Sequence, residues 1–331
     1  LELVLSIKPI LNINDITLPL IIILLGAPSS TKTVGLQQLR NSPTAYYTDN
    51  FTPKAFVSHI TGMNEEQLQK IDMLPRIKNR MVLAPEMAPL FAKKDEDLKE
   101  VLGTITRIAD GDGLVTDSGS CGQRGYDEKI MFTWIGAAVE IPPYVYQHLG
   151  RIGAKIYFYR LPRQHKTEDD YLAQLRNDSF KTRLDKIAMA LNEYLNMFEM
   201  APMPFDKDSG LRKIEWDKSK DDIEAHKIII KLGKLLAHLR AYVPTWDTTH
   251  TQGLNYAYGT AQIEEPDRAM EQLTNIARGH ALSLGRTYIT MDDDLSIPIK
   301  VVLSTASIER VIIFDLLIAH QGKLTTSMIT E

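Results

Sequence analysis

The sequence predicts an α/β chain: a parallel sheet flanked by helices, followed by an all-helical region. Three observations predict it. Residues 18–25 are an unbroken apolar run, as expected of a strand buried on both faces. Further short apolar runs recur at residues 45–48, 80–87, 131–138 and 156–159, with helical patterns between them, the rhythm of a wound parallel sheet. After Pro162 the rhythm stops and only helical periodicity remains. The expected divisions are an α/β core over 1–163, a helical lid over 164–320, and the start of a further domain, a winged helix in outline, over 321–331.

Composition narrows the function classes. A chain of 331 residues allows one large or two modest domains. Hydrophobic residues make up 44%, which indicates neither disorder nor a membrane protein. The net charge of −4 gives no general attraction to nucleic acid, so any such contact must be a local patch. Cys121 is the single cysteine, which rules out an internal disulfide and a cysteine-rich metal site, and fits a reducing cytoplasm. The run at 18–25 is far short of the ~20 residues a bilayer requires, and no secretory signal precedes it. The chain begins without Met and ends inside what reads as a structured unit, so a fragment is expected.

Residues 1–17 read as a short apolar–polar segment. The first strand then ends in Gly26-Ala27-Pro28-Ser29-Ser30-Thr31-Lys32-Thr33. This turn fits the phosphate-loop pattern G-x-x-x-x-G-K-[ST] at every fixed position but one, where Thr31 replaces glycine. Each part has a job: backbone N–H groups cradle phosphate, Lys32 meets the β/γ-phosphates, and Thr33 ligates Mg²⁺. If position 31 needs a positive φ, a β-branched residue there costs about 1–2 kcal/mol. A surface lysine after a polar turn is the bland alternative.

A helix follows with Val34, Leu36 and Leu39, stopped at Asn41-Ser42-Pro43. The strand at 45–48 comes next, then a helical or mixed stretch in which Asn64-Glu65-Glu66-Gln67 reads as a helix start. The run at 80–87 ends in Pro85-Glu86, where a nucleotide site commonly has Asp-Glu; Glu86 is the candidate base for the attacking water. Asp95 reads as the N-cap of a helix carrying Leu98, Val101, Leu102, Ile105 and Ile108. Residues 114–125 read as a hairpin with a glycine-rich tip containing Arg124. The strand at 131–138 and that at 156–159 follow, the latter flanked by Arg151, Lys155, Arg160 and Arg163.

Beyond Pro162, residues 168–200 are a long amphipathic stretch, and Pro202 and Pro204 mark a linker. Residues 221–242 form a helix with Lys227, Lys231, Lys234 and His238 along one face, a stripe that reads as solvated surface. Helices follow at 264–284, with acids and Pro266 in the first turn, and at 308–319. The eight histidines are scattered, and His226 and His238 are too far apart for an i, i+4 zinc pair.

The order of phosphate loop, acidic strand end, hairpin, apolar strand, basic segment and helical lid resembles AAA+ ATPases, and more closely the minichromosome-maintenance-like DNA helicases, including those of mobile elements. The resemblance covers roughly residues 18–320. It implies ATP and Mg²⁺ as ligands, a ring of identical copies, hydrolysis at the contacts between them, and DNA as partner. Position by position, Gly26, Lys32 and Thr33 match the first motif and Glu86 the second. Ala138 stands where the sensor strand commonly has a polar residue. Residues 151–156 resemble the segment with the trans-acting arginine, with Lys155 in its position and Arg151 as the fallback. Arg268 resembles a second sensor at the nucleotide, and the hairpin with Arg124 the pore hairpin that touches DNA. The departures at Thr31, Pro85, Ala138 and Lys155 keep open a nucleotide-binding scaffold or helicase loader with little turnover. A small-molecule kinase is the third reading, disfavoured by the long helical region.

Overall fold

The computed structural model describes residues 2–30, 32–152, 155–162, 165–176, 180–248 and 256–330. Seven strands precede the helical region: β1 (Leu20–Leu25), β2 (Ala45–Tyr47), β3 (Met81–Ala84), β4 (Leu114–Ser118), β5 (Gly122–Tyr126), β6 (Thr133–Ala138) and β7 (Ile156–Arg160). Five of them make one parallel sheet in the order β2-β3-β6-β1-β7, while β4 and β5 pair as a separate antiparallel hairpin. β1 and β6 are buried at all six positions, as their unbroken apolar runs require.

Alternation divides the side chains between two cores. Ile22, Leu24, Ile135 and Tyr157 join Ile229, Ile276 and Val301 from helices Ile223–Leu239, Asp267–Ser283 and Ser296–Thr305. Ile21, Ile23, Trp134 and Phe158 face the other way, onto Phe56, Leu74, Leu102 and Val145. The first core therefore runs without a break from the sheet into the helices of the second half.

The N-terminal segment is more than a spacer. Glu2–Ile7 is an α-helix that continues as a 3-10 turn over Lys8–Asn12 and lies on helix Asp267–Ser283. Contact is so close that a Cβ on Gly279 would stand 2.1 Å from the Ser6 carbonyl oxygen. Helix Ser296–Thr305 was not legible as an element; it shields the outer edge of the sheet. The Phe158 N–H donates to Thr305 Oγ1 at 3.0 Å and the Arg160 N–H to Ser304 Oγ at 2.9 Å, so the edge strand β7 is closed by hydroxyl groups.

Other expectations need adjusting. The helix expected after the turn at residues 26–31 spans only Lys32–Gln37. In helix Asp95–Ile108 the N-cap position is Lys94, and the Asp95 carboxylate instead takes Lys99 and His148, each at 2.5 Å. Asn64 does form the expected capping box with Gln67. The region after β7 is not wholly helical: Phe205–Asp206 pairs with Leu211–Arg212, and Thr245–Asp247 with Tyr256–Tyr258. Within 321–331 the described structure is one short helix, Thr326–Thr330. No helix among the described residues is long and apolar enough to cross a membrane.

Candidate functional site

In open α/β sheets, ligands bind beyond the carboxyl ends of strands where connections part to opposite sides. β1 is such a strand, between β6 and β7, and residues 26–30 lie at its carboxyl end. Lys32 folds back over this loop: Nζ donates to the carbonyl oxygens of Gly26 at 2.7 Å and Ala27 at 2.9 Å, and to Ser30 Oγ at 3.0 Å. Partial burial lowers the Lys32 pKa, and the Glu86 carboxylate opposes that shift. The ammonium is thus held by neutral dipoles with an acid in its electrostatic neighbourhood, and an anionic group would satisfy it better. Gly26 is tightly placed: a Cβ there would stand 3.0 Å from Ser30 Oγ, which would have to give by a few tenths of an ångström. Ser29 has φ +61°, so a left-handed residue does exist in the loop. Thr31, where such strain was expected, lies outside the described residues.

The second motif meets the first. The Thr33 hydroxyl donates to the Pro85 carbonyl oxygen at 3.3 Å. Glu86 is exposed, and its Oε1 accepts from the Ala88 N–H at 3.1 Å. The Met87 N–H donates to the Ala137 carbonyl oxygen at 2.8 Å, fastening this turn to the end of β6. Gly136 makes room for it, because a Cβ there would stand 2.2 Å from Met87 Sδ. Ala138 is buried at the end of β6 and brings no polar group.

Lys155 and Arg268 are brought together, but elsewhere. Both donate to Asp110 Oδ1 at 2.5 Å, and Arg107 stands 3.6 Å from the same carboxylate. Burial pushes the Asp110 carboxyl up, but Lys155 and Arg268 outweigh it and hold the carboxyl below its ordinary range. This cluster lies at the amino end of the strands: Gln272 of the same helix as Arg268 donates to the Pro19 carbonyl oxygen at 2.8 Å, just before β1. At about 3.3 Å per residue, the length of β1 separates the cluster from the loop at residues 26–30 by roughly 20 Å. Arg268, expected at the nucleotide, is not near the loop of its own chain. Arg151 stacks on Tyr242, 4.8 Å from the ring centre, and donates to its hydroxyl at 2.7 Å.

Arg124 does not stand free at a mobile tip. It donates to Asp72 Oδ2 at 2.6 Å and to the Ser58 carbonyl oxygen. The fully buried Asp72 also takes the Tyr126 hydroxyl at 2.7 Å and the Ser58 N–H at 2.9 Å. Burial raises the Asp72 pKa less than these donors lower it, so it stays ionised, while burial and Asp72 push Tyr126 well up. His59 fastens the hairpin from outside, with Nδ1 2.9 Å from Ser118 Oγ and Nε2 2.8 Å from Thr116 Oγ1. No lysine or arginine stands between Ser118 and Gln123, so the tip itself carries no cation.

Asp72 and Asp110 organise these clusters, and no spacing in the sequence marks either one. Among the described residues no group of three or more His, Cys, Asp or Glu could hold a metal. Mg²⁺ with few protein ligands still fits, because that ion takes most of its oxygens from phosphate and water, and Thr33 offers a hydroxyl beside Glu86. No family model matches the chain, and no curated protein matches it.

Proposed function

We propose that the chain is a P-loop ATPase of the AAA+ type, resembling minichromosome-maintenance-like DNA helicases, which binds ATP at residues 26–33. The observation that carries this reading is the convergence at the carboxyl end of the central strand: Lys32 over its own loop, Thr33 on Pro85, and Glu86 beside them. Counted in sheet order the strands read 5-1-4-3-2, which supports the AAA+ resemblance. Lys32 trades three neutral acceptors for phosphate oxygens, and Glu86 orients the attacking water. Mg²⁺, when bound, would neutralise charge developing on the phosphates. The helix after the loop has only six residues, so its dipole adds little and Lys32 bears most of the work.

Turnover in this reading needs a second copy, since Lys155 and Arg268 are remote from the loop of their own chain. A ring supplies them from a neighbour, with Arg151 as the fallback cation. DNA as the partner rests on the family resemblance alone. Two observations favour the second reading, a nucleotide-binding scaffold or loader: Pro85 offers only a carbonyl where the second motif usually has a carboxylate, and Ala138 offers nothing.

Charge-assisted hydrogen bonds contribute about 1.5–3 kcal/mol each, so Lys32→Ala should weaken Mg-ATP binding by roughly 10- to 100-fold. Equal calorimetric affinities for the two proteins would reject the site. ATP turnover with and without single-stranded DNA then separates motor from scaffold.

A further inference from the structure

Two apolar helix faces in this chain lie bare, and they are opposite in charge. The first belongs to helix Phe180–Met200. Its apolar seam keeps helical spacing throughout. The far half, Leu191, Leu195 and Phe198, is buried in the core, whereas Phe180 is 49% and Ile187 44% exposed, with Leu184 between them. The preceding helix, Glu168–Arg176, buries no residue, and its Leu175 is 83% exposed. Lys181, Arg183 and Lys186 flank the bare seam against one acid, Asp185.

The second face belongs to helix Ile308–Ala319, nine of whose twelve residues are apolar and none of which is buried. Val311 and Phe314 lean on the core, leaving Ile308 and Ile312 exposed in line with Leu316. Asp315 lies beside this stripe and carries its negative charge, while Glu309 in the first turn has Arg160 and Arg310 in its electrostatic neighbourhood. The one cation of the helix, Arg310, is turned away to the Leu239 carbonyl oxygen at 2.8 Å. No salt bridge among the described residues uses Lys181, Arg183, Lys186 or Asp315.

We infer that the two faces are halves of one head-to-tail contact, in which the basic seam of residues 180–187 lies on the acidic stripe of residues 308–316 in a second copy of this chain. Both faces repeat at helical intervals, so the ridges of one can enter the grooves of the other. Pairing like with like would bring cations against cations, so the contact is heterologous, and its repetition closes a ring or extends a filament. The inference deepens the assembly described under the proposed function, rests on that reading for the ring alone, and uses nothing of its nucleotide chemistry. Two helix faces of about two turns each fall short of the roughly 800 Å² per partner of a standard interface. Association is therefore expected to be concentration-dependent, in the micromolar range for a single contact.

The test is mass measurement by light scattering after gel filtration, at about 10–100 μM and without nucleotide. One variant carries Lys186→Glu and Ile187→Asp; the other carries Ile312→Asp and Asp315→Lys, all four positions being exposed. All four positions lie outside the buried core, so folding is checked simply by circular dichroism. Each variant alone should be monomeric. Their equimolar mixture should form a dimer and nothing larger, because each retains one sound half. A wild type that stays monomeric across this range overturns the inference, as does either variant that self-associates or a mixture that does not pair. Loss of ATP binding with this pattern intact would sink only the nucleotide reading.

Discussion

At the residue scale, the sharpest departure from expectation is Arg124. Its position in a glycine-rich hairpin suggested a DNA contact, yet its guanidinium neutralises a carboxylate with no exposure to water. Arg124→Ala should therefore cost about 1–3 kcal/mol of stability, because Asp72 loses the one cation paired with it among the described residues but keeps its hydroxyl and amide donors. Urea unfolding checks this, and an unchanged midpoint would return Arg124 to the surface. A second residue-scale prediction concerns His280, whose Nδ1 lies 2.7 Å from Asp294 and Nε2 3.0 Å from Glu2. The hydrogen bond with Asp294 raises the His280 pKa against burial, above the ordinary 6.5. A raised folded value means that the contribution is complete below pH 6.5 and fades as pH climbs through the folded pKa. Burial pushes Asp294 up, but His280 and Arg286 hold it below the ordinary 3.8, so its contribution persists above that pH and is lost in stronger acid. His280→Gln should thus lower the melting temperature most between pH 4 and 6.5 (the two ordinary values), and the gap from wild type should narrow toward pH 8. Melting curves across that range check it. Lys32, Thr33 and Glu86 were legible in the sequence because they follow apolar runs at motif spacing. Asp72 and Asp110 were not, since an isolated aspartate becomes a hub only through partners 52 and 158 residues away.

At the element scale, legibility follows the kind of signal each element carries. β1, β3 and β6 could be read because burial at every position leaves an unbroken apolar run, whereas β2 is only half-buried and β7 is buried over its first three residues, so those two rested on short aromatic runs. Helix Ser296–Thr305 could not, because Ile297, Pro298, Val301 and Val302 are all buried and no polar face sets its period. Helix Glu2–Ile7 was passed over because six residues carry no weight alone; its value lies in a partner helix some 270 residues later. That pairing makes a specific prediction. Gly279→Ala would drive a methyl group into the Ser6 carbonyl oxygen and Ile10, forcing the two elements apart. Overpacking of this kind costs about 1–3 kcal/mol, more where backbone must move. Urea unfolding should show the loss, and hydrogen exchange should place it in residues 2–12. An alanine variant as stable as wild type would mean that the two elements do not touch.

At the scale of the whole molecule, the loop at residues 26–30 and the Asp110 cluster occupy opposite ends of one sheet, so under the proposed reading Lys155 could serve the loop only from a second copy. Lys32→Ala retains a sound Lys155, and Lys155→Ala retains a sound loop. If turnover occurs at contacts between copies, an equimolar mixture should exceed the activity of either variant alone, as some contacts then unite both sound halves. Steady-state ATP turnover of the mixture measures this, and a simple average of the two variants would place the whole site in one chain. The shielding of β7 has a consequence for how the chain comes to be made. Its edge amides are satisfied by hydroxyls 147 and 144 residues further along. At a synthesis rate of roughly 5–20 residues per second, that interval lasts about 7–30 s. Throughout it a nascent chain on the ribosome presents an open, apolar strand with nothing to cover it. Chaperone demand should therefore peak after β7 has emerged and fall away once Ser304 and Thr305 arrive.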